Sequence, residues 1–340
     1  MLTPNQNSLP PGIPVDRCLS TLQPTAGGKS YSARAIRELW NGHRVRPLLD
    51  FRKEDFLTIQ RETAGRISIS GVQDKISLRL EGNRLVPTEK RGDYLLKPVP
   101  LATYPKFTPD IPANEHLTMQ IAAQVFGIPA AANGLVFFQG GEPAYITRRF
   151  DRDTANQPLA QEDFCQLSNR SPDTAGPNYK YDASYEEAGE ILRRFCPSYR
   201  IEIEKLFRLI AFNYVFANGD AHLKNFSLLE TPLGDFALAP AYDLLMTSLH
   251  LPNESRTALD LFADDFETAS YEVNGFYKRP DFLEVAKRFG IAAQRVVRML
   301  DAFAKQSAKV GDMVERSLLS SEAKTAYLAL YQDRLRAIAD

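Results

Sequence analysis

The sequence is poor in the residues that build covalent or metal-based scaffolds, and it contains no long apolar run. It has three cysteines, four histidines and one tryptophan in 340 residues. The cysteines, Cys18, Cys165 and Cys196, are odd in number and far apart, which argues against a disulfide framework and favours a reducing compartment. No apolar stretch approaches the roughly 20 residues that a membrane helix needs.

Neither sign of charge is in excess, since 41 basic residues oppose 42 acidic ones. This balance argues against direct binding to a nucleic-acid backbone, which requires clustered positive charge. The first residues, MLTPNQNSLPPGIP, lack a basic region followed by an apolar core, so they do not predict a secretory signal. The length and the 44% hydrophobic content predict a globular protein of two domains or lobes in the cytoplasm.

Three polar residues in the second half have the order and spacing of a phosphoryl-transfer site. Asp220 and Asn225 lie five residues apart in NGDAHLKN, and Asp243 follows in PAYD. A carboxylate can accept the proton of an attacking hydroxyl, while an amide oxygen and a second carboxylate can bind Mg²⁺ on nucleotide phosphates. A helix C-cap followed by a solvated Asp would explain Asp220 alone, but not all three. The pattern predicts an ATP- and magnesium-dependent kinase.

Other residues are candidates for holding the nucleotide. Lys97 ends the strand YLLK and could neutralise phosphates, with Glu115 of the next helix as its partner. The strand–turn–strand of residues 68–75 could cradle phosphate oxygens with its backbone N–H groups. The alternatives are that Lys97 is an ordinary solvated lysine and that His222 has a structural role. The candidate nucleotide contacts are Ser70, Gly71, Val72, Gln73, Lys75, Lys97, Glu162, Asp163, Phe164, His222, Lys224 and Tyr242.

Two further segments could bind the adenine ring or regulate the site. Residues 161–165 lie where the two halves meet, so their backbone could bond to adenine while Phe164 packs on the ring. Alternation along the strand places Ser68 and Ser70 on one face. A phosphate there would add a charge of roughly −1.5 to −2 where the phosphates of ATP must lie, which predicts self-inhibition. Two ordinary strand serines are the alternative.

The hydrophobic pattern changes near the middle of the chain. After Arg66 it predicts short strands and hairpins, with one helix that begins at Asn114 as N-cap. After Phe164 most segments have a helical period, apart from a small hairpin formed by FSLLE and FALAP. We therefore predict an α+β, bilobal protein-kinase-like fold. It comprises a β-rich N-terminal lobe over residues 1–162 and an all-α C-terminal lobe over residues 163–340.

Seven segments occur in the order found in the HipA family of bacterial serine/threonine kinases, and the sequence resembles that family over residues 66–340. These segments are SISGVQDK, LLKP, NEHL, RRFDR, QEDFCQ, NGDAHLKNFS and LAPAYDL. Seven matches in one order are far more specific than any single one. The resemblance implies that Lys97 contacts phosphate and that residues 162–164 form the hinge that binds adenine.

The resemblance also implies roles for the remaining residues of the site. It implies Asp220 as the catalytic base, with Asn225 and Asp243 as the magnesium ligands. It implies Ser68 and Ser70 as autophosphorylation positions. The implied cofactors are ATP and Mg²⁺.

A subgroup and a biological role are implied by the same resemblance. The paired serines and the short region before them most resemble the HipT kinases of three-component HipB–HipS–HipT systems. The implied activity is that of a toxin that phosphorylates an aminoacyl-tRNA synthetase, tryptophanyl for HipT or glutamyl for HipA, and thereby inhibits translation and growth. The implied partners are a HipB-like DNA-binding antitoxin and a HipS-like small protein, with DNA contacted only through the antitoxin.

Two other functions fit part of the pattern. A nucleotide-binding, kinase-like scaffold would hold ATP and partner proteins without phosphoryl transfer, although it would not need all three polar residues. A small-molecule kinase would share the metal site but would need a closed acceptor pocket. Replacing Asp220 by Asn separates a scaffold from an enzyme.

Overall fold

The structure is a computed structural model that describes residues 13–14, 16–63, 75–90, 92–153, 155 and 157–339. Part of the strand–turn–strand singled out in the sequence therefore lies outside the described residues, namely Ser68, Ser70, Gly71, Val72 and Gln73. The strands are β1 (Ile76–Glu81), β2 (Arg84–Pro87), β3 (Tyr94–Pro98), β4 (Asn133–Phe137), β5 (Pro143–Arg148), β6 (Gln161–Asp163), β7 (Ser227–Glu230) and β8 (Phe236–Leu238).

The helices occupy both ends of the chain, with most of them after β6. They are α1 (Ala33–Glu38), α2 (Phe56–Thr63), α3 (Ile111–Gln124), α4 (Phe164–Leu167), α5 (Pro172–Ala175), α6 (Tyr185–Phe195), α7 (Tyr199–Val215), α8 (Ala269–Asn274), α9 (Arg279–Arg288), α10 (Ala293–Lys305), α11 (Ser307–Arg316) and α12 (Ser321–Ala339). None of the helices in the described ranges combines the length and apolar character that a membrane crossing requires.

A five-stranded antiparallel sheet organises the first half, in the order β2-β1-β3-β5-β4. The hairpin predicted from GLVFF and AYITRRF is confirmed as β4 and β5. The chain before the sheet covers its outer edge, since Phe137 of β4 exchanges backbone hydrogen bonds with Pro47 and Leu49. Trp40 is fully buried and lies 5.1 Å from the ring of Tyr31 and 5.2 Å from that of Tyr94. The covered edge cannot pair with another chain.

Helix α3 connects the sheet to the helical half, because it packs on β4 and β5 and also on α11. The prediction that Asn114 caps this helix is wrong, since the helix begins at Ile111, three residues earlier. Pro112 explains the earlier start, because its fixed backbone angle suits the first turn of a helix. Asn114 is instead a fully buried residue inside the helix, where its side chain can reach the opposite half of the molecule.

The second half is built around α7, most of whose residues are buried in one large hydrophobic cluster. The prediction of an all-α C-terminal lobe is wrong, because β6, β7 and β8 form a three-stranded antiparallel sheet. The predicted hairpin accounts for β7 and β8, which pair through Leu228 and Leu238. Strand β6 was missed because three residues are too few to show a period.

Buried histidines make the stability of this fold depend on pH. His116 in α3 is fully buried, and its Nε2 donates to the Ser20 carbonyl at 2.7 Å. Burial lowers the pKa of His116 to about 4 from an ordinary value of 6.5. The unfolded chain therefore binds more protons than the folded chain between these two values, and stability falls as the pH falls through that window.

We expect acidification from pH 7 to pH 4 to remove up to about 3 kcal/mol through His116, at about 1.4 kcal/mol per pKa unit. Urea unfolding across this range should show a smaller loss of stability in His116→Gln than in the wild type. His43, which is exposed, provides the matched control His43→Gln. Equal pH slopes for wild type and His116→Gln would contradict the assignment.

Candidate active site

The loop after α7 places Asp220 at the surface through a rigid turn. Asn218 is buried, and its side chain donates to Asn213 at 2.8 Å and accepts the N–H of Asp220 at 3.2 Å. The N–H of Gly219 donates to Thr247 Oγ1 at 2.7 Å. A Cβ atom on Gly219 would lie only 2.5 Å from a backbone oxygen, so glycine is required for this close approach. The turn holds the exposed carboxylate of Asp220 in a defined position.

Asn225 is fixed by a reciprocal pair of hydrogen bonds with His222. The His222 N–H donates to Asn225 Oδ1 at 3.1 Å, and the Asn225 N–H donates to the His222 carbonyl at 2.9 Å. These bonds close a 3₁₀ turn over Leu223–Asn225. An amide oxygen has two lone pairs, so Asn225 Oδ1 can still coordinate a cation.

His222 lies in the same site with a buried and neutral imidazole. Burial lowers its pKa, although the negative charges of Asp220 and Asp243 act in the opposite direction. Its Nδ1 atom is buried and has no hydrogen-bond partner among the described residues. A buried polar atom without a partner carries a cost that a bound polar ligand would remove.

Asp243 lies in a left-handed backbone conformation, with φ of +55°. Asp and Asn tolerate this region better than other non-glycine residues do. The segment before it is held by Ala241, which exchanges backbone hydrogen bonds of 2.8 and 2.9 Å with Pro129 and Ala131. The segment after it is held by the Asn114 side chain, which bonds to both the N–H and the carbonyl of Met246.

Lys97 connects the sheet, α3 and the Asp243 segment. Its side chain is 7% exposed, and its ammonium lies 2.7 Å from the carboxylate of Glu115, which confirms the predicted pair. It also donates to Asp243 Oδ1, a contact that was not predicted. Burial acts to lower the pKa of Lys97, but the charges of Asp243 and Glu115 outweigh it and raise that pKa. Lys97 therefore remains a cation at the centre of the site.

The pKa of Asp243 reflects the same contacts. The Asp243 side chain is 44% exposed, and its partial burial acts to raise the pKa, but the charges of Lys97 and Lys75 hold that pKa below its ordinary value. Asp243 is thus a carboxylate at neutral pH, as a metal ligand must be. Lys75 is exposed just before β1, and it is the part of the predicted strand–turn–strand of residues 68–75 that the structure describes.

The predicted hinge lies on β6, an edge strand of the three-stranded sheet. Phe164 is fully buried against Phe226, with ring centroids 5.9 Å apart, and its N–H donates to the Phe226 carbonyl. The expectation that its ring packs on adenine is therefore corrected. Hydrogen-bonded pairs alternate along an antiparallel ladder, so Glu162 also pairs with β7 while the backbone of Gln161 faces the open edge.

Lys224 connects β6 to the loop that contains Asp220 and Asn225. Its ammonium lies 2.7 Å from Asp163 Oδ2, while Asp163 Oδ1 caps α4 by accepting the Gln166 N–H at 2.9 Å. Tyr242 supports the same loop, since its hydroxyl donates to the Lys224 carbonyl at 2.8 Å and also bonds to Ser227. Lys224 and Tyr242 thus bind protein groups here, and their predicted contact with nucleotide stays a prediction.

One residue of the site was missed by sequence reasoning. The hydroxyl of Tyr181 donates to Asp220 Oδ1 at 2.5 Å. Tyr181 precedes Asp220 by 39 positions, and it lies in a loop with no regular period. Only the motif KYDASY could have attracted notice, and a tyrosine in a polar loop has no distinctive spacing.

The donors in this site suit a magnesium ion shared with phosphates. Asn225 and Asp243 supply hard oxygen atoms, which Mg²⁺ prefers. In the described part of the chain, no group of three or more His, Cys, Asp or Glu residues could hold a metal ion by itself. One carboxylate and one amide fit an ion whose remaining ligands are phosphate oxygens and water. The buried ammonium of Lys97 and the open Nδ1 of His222 fit a polyanionic ligand.

The chain matches the model of the HipA-like C-terminal domain over residues 67–310, and it therefore belongs to that family. A Haemophilus influenzae protein named "Putative kinase" is 27% identical over 332 residues, which is 93% of this chain and 95% of that protein. The serine/threonine-protein kinase toxin HipA of Shewanella oneidensis is 26% identical over 226 residues, covering 60% of this chain. The match covers 48% of that toxin, so the chain spans about half its length.

Two solved structures share the fold. One is the Shewanella oneidensis complex of HipA, HipB and operator DNA, with a TM-score of 0.57 and 20% identity over 79% of this chain and 63% of that chain. The other is the Helicobacter pylori proinflammatory kinase CtkA, with a TM-score of 0.51 and 14% identity over 77% of this chain and 90% of that chain. The predicted combination of sheet and helices is confirmed and resembles that of HipA and CtkA, while the bilobal protein-kinase-like arrangement stays a prediction.

Proposed function

We propose that the chain is an ATP- and Mg²⁺-dependent protein serine/threonine kinase of two lobes, residues 1–162 and 163–340, with nucleotide between them. The observation that carries the proposal is the contact of one buried ammonium, Lys97, with both Glu115 and Asp243. It joins the sheet, α3 and the segment after the catalytic loop in a single charged cluster. Family members named as kinases support the same conclusion.

Each residue has a distinct role in the proposed reaction. Lys97 would hold nucleotide phosphates, and Glu115 would keep its ammonium in place. Asn225 and Asp243 would hold Mg²⁺, which would neutralise charge on the phosphates. Asp220 would orient the acceptor hydroxyl and take its proton. The open edge of β6 at Gln161 would bond to adenine, and Lys224 would hold this edge against the loop.

The acceptor would be an aminoacyl-tRNA synthetase, with the tryptophanyl enzyme favoured and the glutamyl enzyme next. Its phosphorylation would inhibit translation and growth, as expected of a cytoplasmic toxin related to HipT. The Shewanella HipA structure contains HipB and operator DNA. A HipB-like antitoxin and a HipS-like small protein are the corresponding partners proposed for this chain, with DNA contacted only through the antitoxin.

Autophosphorylation of Ser68 or Ser70 is the proposed means of self-inhibition. Both residues lie outside the described residues. Lys75, the last residue of the predicted strand–turn–strand, carries a charge that acts on Asp243. A phosphate adds a charge of roughly −1.5 to −2, which would repel the phosphates of ATP at this position.

The proposal is tested by incubating the purified chain with ATP labelled at its γ-phosphate, Mg²⁺, and either tryptophanyl- or glutamyl-tRNA synthetase. We expect label on a synthetase serine and on Ser68 or Ser70, mapped by mass spectrometry. A folded chain that transfers phosphate to no protein would contradict kinase activity. Transfer to a synthetase with both loop serines unmodified would contradict only the self-inhibition.

Removing the charge of Asp243 should weaken the metal site specifically. In Asp243→Asn the side chain still tolerates the positive φ, but it offers a metal ion only a neutral oxygen. We expect the Mg²⁺ concentration for half-maximal activity to rise at least about 10- to 100-fold, the loss that even a partner of a metal ligand causes. Asp265→Asn is the matched control, because Asp265 also has a positive φ and is exposed on another loop. An unchanged Mg²⁺ dependence in Asp243→Asn would rule out this ligand.

A further inference from the structure

Tyr181 makes the one side-chain hydrogen bond to the Asp220 carboxylate seen among the described residues. The separation of 2.5 Å is short, as expected when a phenol donates to a charged oxygen. Burial raises the pKa of Tyr181, and the hydrogen bond and charge of Asp220 raise it further. The phenol therefore stays protonated and can only donate to the carboxylate at neutral pH.

The segment that contains Tyr181 is attached to the catalytic loop. The Leu223 N–H donates to the Lys180 carbonyl at 3.1 Å, and the Tyr185 hydroxyl donates to the Ala221 carbonyl at 2.9 Å. The first bond joins Lys180, just before Tyr181, to Leu223, just after His222. The second joins Tyr185, after Tyr181, to Ala221, just before His222. These bonds attach the segment of Tyr181 to the loop, so Tyr181 should keep its place beside Asp220.

The ring of Tyr181 is fixed as well as its hydroxyl. It packs edge-on against His222, with centroids 5.1 Å apart and planes at 76°. The Lys180 ammonium lies 4.8 Å from the centroid of the ring. The His222 N–H donates to the side chain of Asn225, so the ring of Tyr181 packs against the residue that holds the proposed amide ligand. At the same time 38% of Tyr181 is exposed, so the phenol lies at the surface that an acceptor protein would approach.

We propose that Tyr181 is a positioning residue for phosphoryl transfer, a role that rests on the proposed kinase function. Its hydroxyl occupies Oδ1 of Asp220 and so directs Oδ2 toward the acceptor. In the reaction, the acceptor oxygen forms a bond to the γ-phosphorus while the bond from that phosphorus to the leaving ADP oxygen breaks. The acceptor proton passes to Asp220 Oδ2, and the electron pair of the broken P–O bond stays on ADP.

The test is Tyr181→Phe, which removes one oxygen and keeps the ring against His222. With tryptophanyl-tRNA synthetase and the chain itself as acceptors, we expect kcat to fall about 10- to 100-fold, as a misplaced catalytic group causes. The KM for ATP should change by less than about twofold, because a positioning residue does not contribute to nucleotide binding. Tyr271→Phe is the matched control, since it removes a phenol oxygen from α8.

A double-mutant cycle separates positioning from a structural role. Adding Tyr181→Phe to Asp220→Asn should cause less than about a twofold further loss, because both changes remove one function. An unchanged or increased kcat in Tyr181→Phe overturns the inference. An increase would show that the phenol slows phosphoryl transfer. The inference is also overturned if the loss of activity comes from a higher KM for ATP, or if Tyr271→Phe causes the same loss. Full activity in Asp220→Asn also overturns the inference, because the phenol would then not be positioning the base. A wild type without transfer overturns the proposed function instead.

Discussion

Asp220→Asn is expected to lower phosphoryl transfer by about 10²- to 10⁴-fold, the range that a general base contributes. The amide has the same shape and can still accept the Tyr181 hydrogen bond, but it cannot take a proton. Asp220 is exposed, so the variant should unfold at the same urea concentration as the wild type. Binding of ATP should be unchanged, since the role proposed for Asp220 is on the acceptor.

Asp312→Asn is the matched control for this loss, because Asp312 is an exposed carboxylate in α11. It should retain full activity. If Asp220→Asn still transfers phosphate at the wild-type rate, Asp220 is not the base. If it loses activity in cells without losing transfer in vitro, binding of a partner is the more direct explanation of its effect.

Lys97→Met is expected to have the largest effect on both stability and nucleotide binding. Glu115 is 1% exposed on its side chain, and the change leaves this buried carboxylate without its lysine. Removing one member of a buried ion pair costs about 3–5 kcal/mol. The variant would also lack the cation proposed to contact the phosphates of ATP. Its affinity for ATP should therefore fall at least tenfold, which corresponds to about 1.4 kcal/mol of binding free energy for each factor of ten. Lys90→Met, at an exposed lysine, should change neither quantity.

The double variant Lys97→Met with Glu115→Met separates these two effects. Apolar residues of similar size can replace a buried ion pair with little cost in stability. We expect the double variant to recover most of the lost unfolding free energy, measured by urea titration, while ATP binding measured by calorimetry stays weak. Wild-type affinity for ATP in either variant would contradict a phosphate contact for Lys97.

The order of polar residues along the chain was sufficient to predict most of the cluster. Lys97 and Glu115 pair as expected, because a strand end and the next helix were both recognisable from their apolar periods. The spacing of Asp220 and Asn225 corresponds to one loop closed by a 3₁₀ turn. Such local relations depend on a few neighbouring residues, so the sequence pattern is informative about them.

Contacts between distant segments were not predictable in the same way. Tyr181 reaches Asp220 from another loop, and Asn114 reaches Met246 from helix α3, because tertiary packing brings these distant segments together. The periodicity of a sequence describes which face of an element is apolar, but not which loop lies opposite. The wrong N-cap at Asn114 has the same origin, since an Asn that is typical of helix starts is used here to bond another segment.

In the predicted adenine hinge, the sequence did not show which side each residue faces. The motif QEDFCQ begins on β6, an edge strand of the three-stranded sheet, and its role as the adenine hinge stays a prediction. The side that each residue presents depends on the register between β6 and β7, which three residues do not reveal. With Phe164 paired to Phe226, the register places its ring in the core and the backbone of Gln161 at the open edge.

The most direct measurement of the central claim is the phosphoproteome of cells that produce the wild-type chain beside cells that produce Asp220→Asn at equal levels. The account predicts phosphoserine on an aminoacyl-tRNA synthetase, and on Ser68 or Ser70 of the chain, only with the wild type. Identical phosphoproteomes, with both chains folded and ATP-bound, would contradict the claim that this protein is a kinase.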